Sequence, residues 1–211
     1  ARDALTILSN GKATAFAELT GLNVGTASVA ASVVVAVLRN EQRAELDGPN
    51  VQAGDITVRS ALNEDNRVTT SVTMHTGGGA LFNARANVAV AYGRSASTAL
   101  FRPATLTATG DLDIASTGHA DTEAKIDNQK NCSYISATAM IALSYAQGRF
   151  DAGVELPDSA EENRVGDISI RTDYTANANV DLMPSSSGLA VNFYDLAVNV
   201  AIPNAASTPN A

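Results

Sequence analysis

Gly54-Asp55-Ile56-Thr57-Val58-Arg59-Ser60 is the stretch that decides the fold, because the chain repeats its pattern twice more. The later copies, Gly110 to Ser116 and Gly166 to Thr172, each begin 56 residues after the one before, and a looser version opens the chain at Asp3 to Ser9. A fixed period of this length is typical of repeat architectures. We therefore divide the chain into units at approximately 1-53, 54-109, 110-165 and 166-203, followed by a C-terminal linker or frayed end at 204-211.

Each unit has the pattern of several short β-strands. The Gly-Asp pair predicts a turn in which glycine supplies a positive φ angle, and Ile56-Thr57-Val58 then alternates like a half-buried strand. Further strands are predicted at Val68 to Met74, Asn83 to Tyr92 and Ser95 to Phe101. An alternating apolar run marks the long strand of every copy and predicts that Val35 and Val90 lie in the core. Its members are Val33/Val35/Val37, Val88/Val90/Tyr92, Met140/Ala142/Ser144 and Leu196/Val198/Val200.

The repeat predicts an all-β protein in which successive copies stack on one another. A unit this thin cannot bury its apolar face alone, so equivalent positions must come into register. Ile56, Leu112 and Ile168 then form an apolar column inside, and the neighbouring Thr57, Asp113 and Ser169 form a polar column outside. The fold class is thus a parallel β-solenoid (β-helix) built from about four 56-residue repeats. The alternative is a series of tandem antiparallel β-sandwich repeats, one per unit.

The unit resembles a known class of repeat. A Gly-Asp-aliphatic-x-aliphatic strand, an Ala/Thr/Val strand, a Gly-rich turn at Gly77-Gly78-Gly79 and an Ala-Val-Ala-Val strand occur in one order. This order is similar to the repeats of very large bacterial exported adhesins of the filamentous haemagglutinin and leukotoxin-like kind. The resemblance implies a β-helical stalk, a secreted or cell-surface location and an adhesive or spacer role in virulence. It supplies no catalytic residues.

Composition excludes several classes of partner. The net charge is −8, with 14 Lys and Arg against 22 Asp and Glu, which disfavours binding to nucleic acid or to anionic membrane surfaces. The longest apolar run, 29-38, is too short for a membrane helix, which needs roughly 20 residues. Cys132 is the single cysteine and can form neither an internal disulfide nor a multi-cysteine metal site. The abrupt start in patterned sequence predicts a segment of a longer protein.

Rows of hydroxyl and amide groups are the best candidates for a ligand face. A stack of copies would present them in regular rows, and such rows can bind glycans. The candidate residues are Thr69, Thr70, Ser71, Asn177 and Asn179. The expected partners are a host surface protein or glycan and the neighbouring repeats of the chain itself.

The other polar groups do not form a pattern that predicts a catalytic or metal-binding site. Asp111 and Asp113 share a strand face, which a polysaccharide-active enzyme could use, but the other copies lack the pair. His75 and His119 fall at different phases of the repeat, and the acidic stretch 158-162 is expected to be a solvated loop. We therefore expect the chain to be a non-catalytic structural or adhesive segment that binds no cofactor or metal. The alternative is a glycan-binding module or a β-helical polysaccharide-active enzyme.

Overall fold

The computed structural model describes residues 3-61, 68-156, 165-183 and 191-210, with side chains given for all of these except residues 23, 49, 68, 129-132 and 191-210. The described residues form an all-β structure, and no helix occurs among them. The seven strands are β1 (Leu5–Asn10), β2 (Ala13–Ala53), β3 (Ile56–Ala61), β4 (Val68–Ala108), β5 (Leu112–Val154), β6 (Ile168–Met183) and β7 (Val191–Asn210).

Equivalent positions of the four copies lie side by side in one parallel sheet. Leu5 pairs with Ile56, Ile56 with Leu112, and Leu112 with Ile168, so the predicted apolar column exists. Ile56 and Leu112 are fully buried, whereas Ile168 in the last row is half exposed. Every strand pairing among the described residues is parallel, so the alternative of antiparallel sandwiches is wrong.

The sheet curls so that each copy packs against itself. The separate strands predicted within 68-101 are one continuous strand, β4, and β2 and β5 are similarly long. Val72 and Met74 in the first half of β4 pack against Ala89 and Ala91 in its second half. A second cluster joins the start of each copy to its end, since Ile56 packs with residues of the 99-108 segment. The small alanines allow the two layers to approach closely, as a thin core requires.

In the first two copies the long strand faces the opposite way from the prediction, whereas Met140, Ala142 and Ser144 of the third copy are buried. Val34 and Ala36 are buried, whereas Val35 is 50% exposed, and in the next row Ala89 is buried and Val90 points outward. The predicted alignment was also one residue out in the third copy, because Val88 pairs with Ile141 rather than with Met140. A shift of one residue exchanges the two faces of a strand, and a run of consecutive apolar residues does not reveal which parity is buried.

The Gly-Asp corner stacks for a different reason from the one predicted. Glycines 54, 110 and 166 do not have positive φ, and among the described residues only Gly78 does, with φ 147°. Instead, each aspartate carboxylate contacts the next copy: the backbone N–H of Asp111 donates to Asp55 Oδ1 at 3.1 Å, and that of Asp167 to Asp111 Oδ1 at 3.0 Å. A Cβ atom on Gly166 would lie 2.7 Å from Asp111 Oδ1 and 2.9 Å from the Gly110 carbonyl oxygen. Glycine is therefore required by close approach.

The copies differ in length between two columns of the sheet, and register shifts at Thr76/Gly78 and Ser136/Ala137 add one-residue differences within the strands. Asn10, Ala61 and Thr117 occupy one column, and Ala13, Val68 and Ala120 occupy the next. Two residues join these columns in the first and third copies, but six do so in the second. At the other end, β7 continues to Asn210 in register with β5, so residues 204-210 are paired strand rather than the predicted linker.

Gly166→Ala is expected to destabilise the chain by about 1–3 kcal/mol, because the added methyl overlaps backbone atoms of the preceding copy. Gly21→Ala is the matched control, since nothing lies within 4 Å of a Cβ atom at Gly21. Urea denaturation followed by circular dichroism measures both variants. Equal midpoints for the two variants would show that the corner does not depend on close approach.

Candidate functional site

The first halves of the long strands and β6 carry a polar outer face. We define the polar outer face as the outward residues of four neighbouring columns, in which equivalent positions of the four copies are adjacent. Fourteen of its sixteen residues are polar. They are Thr14, Phe16, Glu18, Thr20, Thr69, Ser71, Thr73, His75, Asp121, Glu123, Lys125, Asp127, Asn177, Asn179, Asp181 and Met183.

Four of the five predicted ligand-face residues meet on this surface. Thr69 and Asn177 lie in one column, and Ser71 and Asn179 in the next, with a β5 residue between the members of each pair. Thr70 is fully buried and points into the core, so its inclusion was wrong. Successive strand residues alternate between faces, and a run of three polar residues hides which of them points inward.

Carboxylates dominate the electrostatics of the polar outer face. Asp121 accepts a hydrogen bond from Asn177 Nδ2 at 3.0 Å and lies 3.0 Å from His119 Nε2. His75 Nδ1 lies 3.3 Å from Asp127 Oδ2, and Lys125 Nζ lies 3.4 Å from Asp181 Oδ2. The face can therefore offer amide donors and acidic acceptors side by side, which are groups that hydrogen-bond sugar hydroxyls.

The two histidines do not converge. His75 contacts Asp127 and Glu18, whereas His119 contacts Asp121. Within the described part of the chain, no three His, Cys, Asp or Glu side chains are grouped closely enough to hold a metal ion. The side chain of Cys132 and the acidic stretch 158-162 lie outside the described residues.

Asp111 and Asp113 are both engaged in joining copies. Asp111 accepts the backbone N–H of Asp167, as described above. Asp113 binds the guanidinium of Arg59 from the row before, and Arg171 Nη2 from the row after lies 3.1 and 3.2 Å from its two carboxylate oxygens. Burial by itself would raise the pKa of Asp113, but the hydrogen bonds and positive charges of the two arginines hold that pKa below its ordinary value of 3.8.

Stability is expected to fall in acid partly through Asp113. The pKa of Asp113 is lower in the folded chain than in the unfolded chain. Asp113 therefore stabilises the fold at a pH above its unfolded pKa, and this stabilisation is lost as the pH falls through its folded pKa. The melting temperature of the native chain should therefore drop more steeply below about pH 4 than that of Asp113→Asn, measured by differential scanning calorimetry. Parallel melting curves at every pH would contradict the bridging role.

A second outer face, which sequence reasoning missed, is entirely apolar. The inward residues beside the polar outer face, such as Val72 and Met74, pack against the inward residues beside the second face, such as Ala89 and Ala91. The second face, which we call the apolar outer face, therefore lies on the opposite side of the curled sheet from the polar outer face. It comprises six columns from β2, β4 and β5. Its residues are Ala27, Val29, Ala31, Val33, Val35, Val37, Phe82, Ala84, Ala86, Val88, Val90, Tyr92, Ile135, Ala137, Ala139, Ile141, Leu143 and Tyr145. The sequence shows these valines but not that they point outward, and the prediction that Val35 and Val90 lie in the core is wrong.

The interior between the apolar clusters is unexpectedly polar. Asn87 Nδ2 donates to Asn128 Oδ1 at 3.1 Å, and Thr122 and Ser144 hydroxyls lie 2.7 Å apart, all buried. Arg85 is also buried, and it donates from Nε to Asn83 Oδ1 at 3.1 Å and from Nη2 to the Gly77 carbonyl at 2.8 Å. Burial lowers the pKa of the Arg85 guanidinium. The signal that could have found these groups is their parity, since Asn87 shares a face with Ala89 and Ala91.

Comparison with known proteins identifies no relative. No family model, no curated protein and no solved structure matches this chain. The resemblance to adhesin repeats therefore stays a prediction. Where the structure describes the chain, it contains no helix of the length and apolar character that crossing a membrane requires.

Proposed function

We propose that this chain is a segment of a β-solenoid in which each copy of about 56 residues makes one coil. The register that places Leu5, Ile56, Leu112 and Ile168 in one column carries this proposal. The packing of Ile56 against the end of its own copy supports one coil per copy, because it brings the chain back to where the next row begins. The Gly-Asp contacts between copies support the same arrangement.

The role of this solenoid is mechanical and non-catalytic. Parallel rows resist bending because every row is bonded along its length to the next, and each copy adds about 4.8 Å to the stack. A long array of such copies would hold a binding region away from a bacterial surface, either cell-attached or secreted. The involvement of Asp111 and Asp113 in contacts between copies favours this role over that of a polysaccharide-active enzyme.

Single-molecule pulling between the two ends tests the coil arrangement. A solenoid loaded along its stack should peel one coil at a time, and an extended copy of 56 residues releases about 190 Å of chain. We expect a series of steps of that size. One cooperative step that releases the whole described chain would overturn the proposal.

The polar outer face is the proposed contact surface for a host glycan. The paired amides and carboxylates at Asn177 and Asp121 support this choice. Binding of the chain to a glycan array should be lost in the double variant Asn177→Ala/Asn179→Ala and retained in Ser169→Ala, an exposed control on the same strand. Binding that survives the double variant would place adhesion elsewhere.

A further inference from the structure

We infer that the apolar outer face is a dimer interface that binds a second copy of this chain. All eighteen outward positions of its six columns carry apolar or tyrosine side chains. Val33 is 65% exposed and Val37 55% exposed, although aliphatic side chains of a stable sheet normally gain from burial. A continuous exposed apolar patch of this kind often marks an interaction site.

The area of the face meets what a dimer needs. Six alternate columns span eleven residues, or about 36 Å along the strands, and three strands span about 14 Å across them. Each chain therefore offers roughly 500 Å² of apolar surface, and a dimer of two chains would bury on the order of 1,000 Å², the lower bound for a specific interface. The backbone of β7 continues the same columns, with Val198 paired to Ile141 and Val200 to Leu143.

The relief of the face is self-complementary. One half contains an open groove of about 600 Å³, lined by the outward side chains of Val29 and five alanines and by the strand segments at Ala30, Arg85 and Thr138, whose side chains point inward. The five alanines are Ala31, Ala84, Ala86, Ala137 and Ala139. The other half is a ridge of larger side chains in the next three columns, and it ends in Tyr92 and Tyr145, whose rings stack at 5.1 Å. Consider a two-fold axis that runs across the strands, along the direction in which the rows stack, at the boundary between groove and ridge. It places the ridge of each chain in the groove of the other chain. This is the isologous arrangement that closed dimers use.

Charge favours a second copy over a polar partner. The face itself carries no ionisable group except the two tyrosines, so the net charge of −8 does not oppose contact there. One end of the face is bordered by a mixed-charge rim with Arg39, Arg94, Glu41, Arg149 and Asp151. An apolar centre with a polar rim is the usual anatomy of a protein interface. The polar outer face lies on the far side and stays available to other ligands.

Sedimentation velocity of the whole chain tests the dimer. At about 100 µM, a concentration at which a micromolar Kd gives mostly dimer, the native chain should sediment at twice its 21.7 kDa mass. Val90→Asp, at the centre of the ridge, should sediment as a monomer. Thr73→Asp is the matched control, since it adds the same charge to an outward, half-buried position of β4 on the opposite face, and it should remain dimeric.

Each other outcome overturns the inference. A native chain that stays monomeric, or a Val90→Asp variant that stays dimeric, would do so, the latter because it indicates pairing through the sheet edges. A monomer that instead floats with neutral phosphatidylcholine vesicles would assign the face to lipid. If Val90→Asp fails to fold by circular dichroism, Ala86→Asp in the exposed groove floor decides, and it should also be monomeric.

Discussion

Ala89→Asp is expected to unfold the chain, whereas Val90→Asp, one residue further along β4, leaves it folded. Ala89 is fully buried between the two layers and packs in the cluster that contains Val72 and Met74. A carboxylate there has neither water nor a cation, and an unpaired buried charge costs at least several kcal/mol. That loss is comparable with the whole stability of a typical domain, about 5–15 kcal/mol.

Far-ultraviolet circular dichroism and thermal melting at low protein concentration measure this pair. Val90 points outward, so its replacement changes only strand propensity and surface contacts, an effect of about 1 kcal/mol. Val35→Asp, at a half-exposed position of β2, should behave in the same way. A folded Ala89→Asp together with an unfolded Val90→Asp would reverse the assignment of the two faces.

Phe150→Ala is expected to cost about 3–5 kcal/mol, the usual range for a buried phenylalanine. The Phe150 ring is fully buried, stacks on Tyr174 with ring centres 4.3 Å apart, and occupies the space over Gly118. The Tyr174 ring in turn covers Gly148. Two glycines thus make room for two stacked aromatic rings.

A double-mutant cycle tests this interlocking arrangement. Gly118→Ala alone should destabilise by about 1–3 kcal/mol, since its methyl overlaps the Phe150 ring. In the Phe150→Ala background the same methyl fills vacated space, so the coupling energy should exceed about 1 kcal/mol. Phe16→Ala, at an exposed aromatic, is the control and should change stability by less than about 0.5 kcal/mol. Additive effects of the two substitutions would separate Gly118 from Phe150.

The rows of the sheet could be predicted from the sequence, but its faces could not. The recurring Gly-Asp motif predicts the register at the start of each row, where Ile56 does pair with Leu112. It does not predict the register of the long strands, because Val88 pairs with Ile141, 53 rather than 56 residues later. The burial of Ala89 instead of Val90 depends on how the two layers meet. Ala89 and Ala91 pack with the larger Val72 and Met74 of the other layer, so small residues are buried here while neighbouring valines are exposed, which reverses the general preference for burying valine.

The candidate site was predictable to a similar degree. Thr69, Ser71, Asn177 and Asn179 were brought together by the same register that defines the rows. Thr70 and the apolar outer face were misassigned through one cause, the unknown parity of a strand without polar-apolar contrast. The contacts of Asp113 with Arg59 and Arg171 span two row boundaries and follow only from the three-dimensional stack.

Unequal copy lengths identify the junction between the columns of Ala61 and Val68 as a position that tolerates inserted residues. The second copy accommodates four more residues than its neighbours between Ala61 and Val68, and the columns on either side still match. The second copy thus shows that four extra residues at this junction are compatible with the paired sheet. A foreign epitope inserted between these two columns should therefore leave the strand pairing on either side intact.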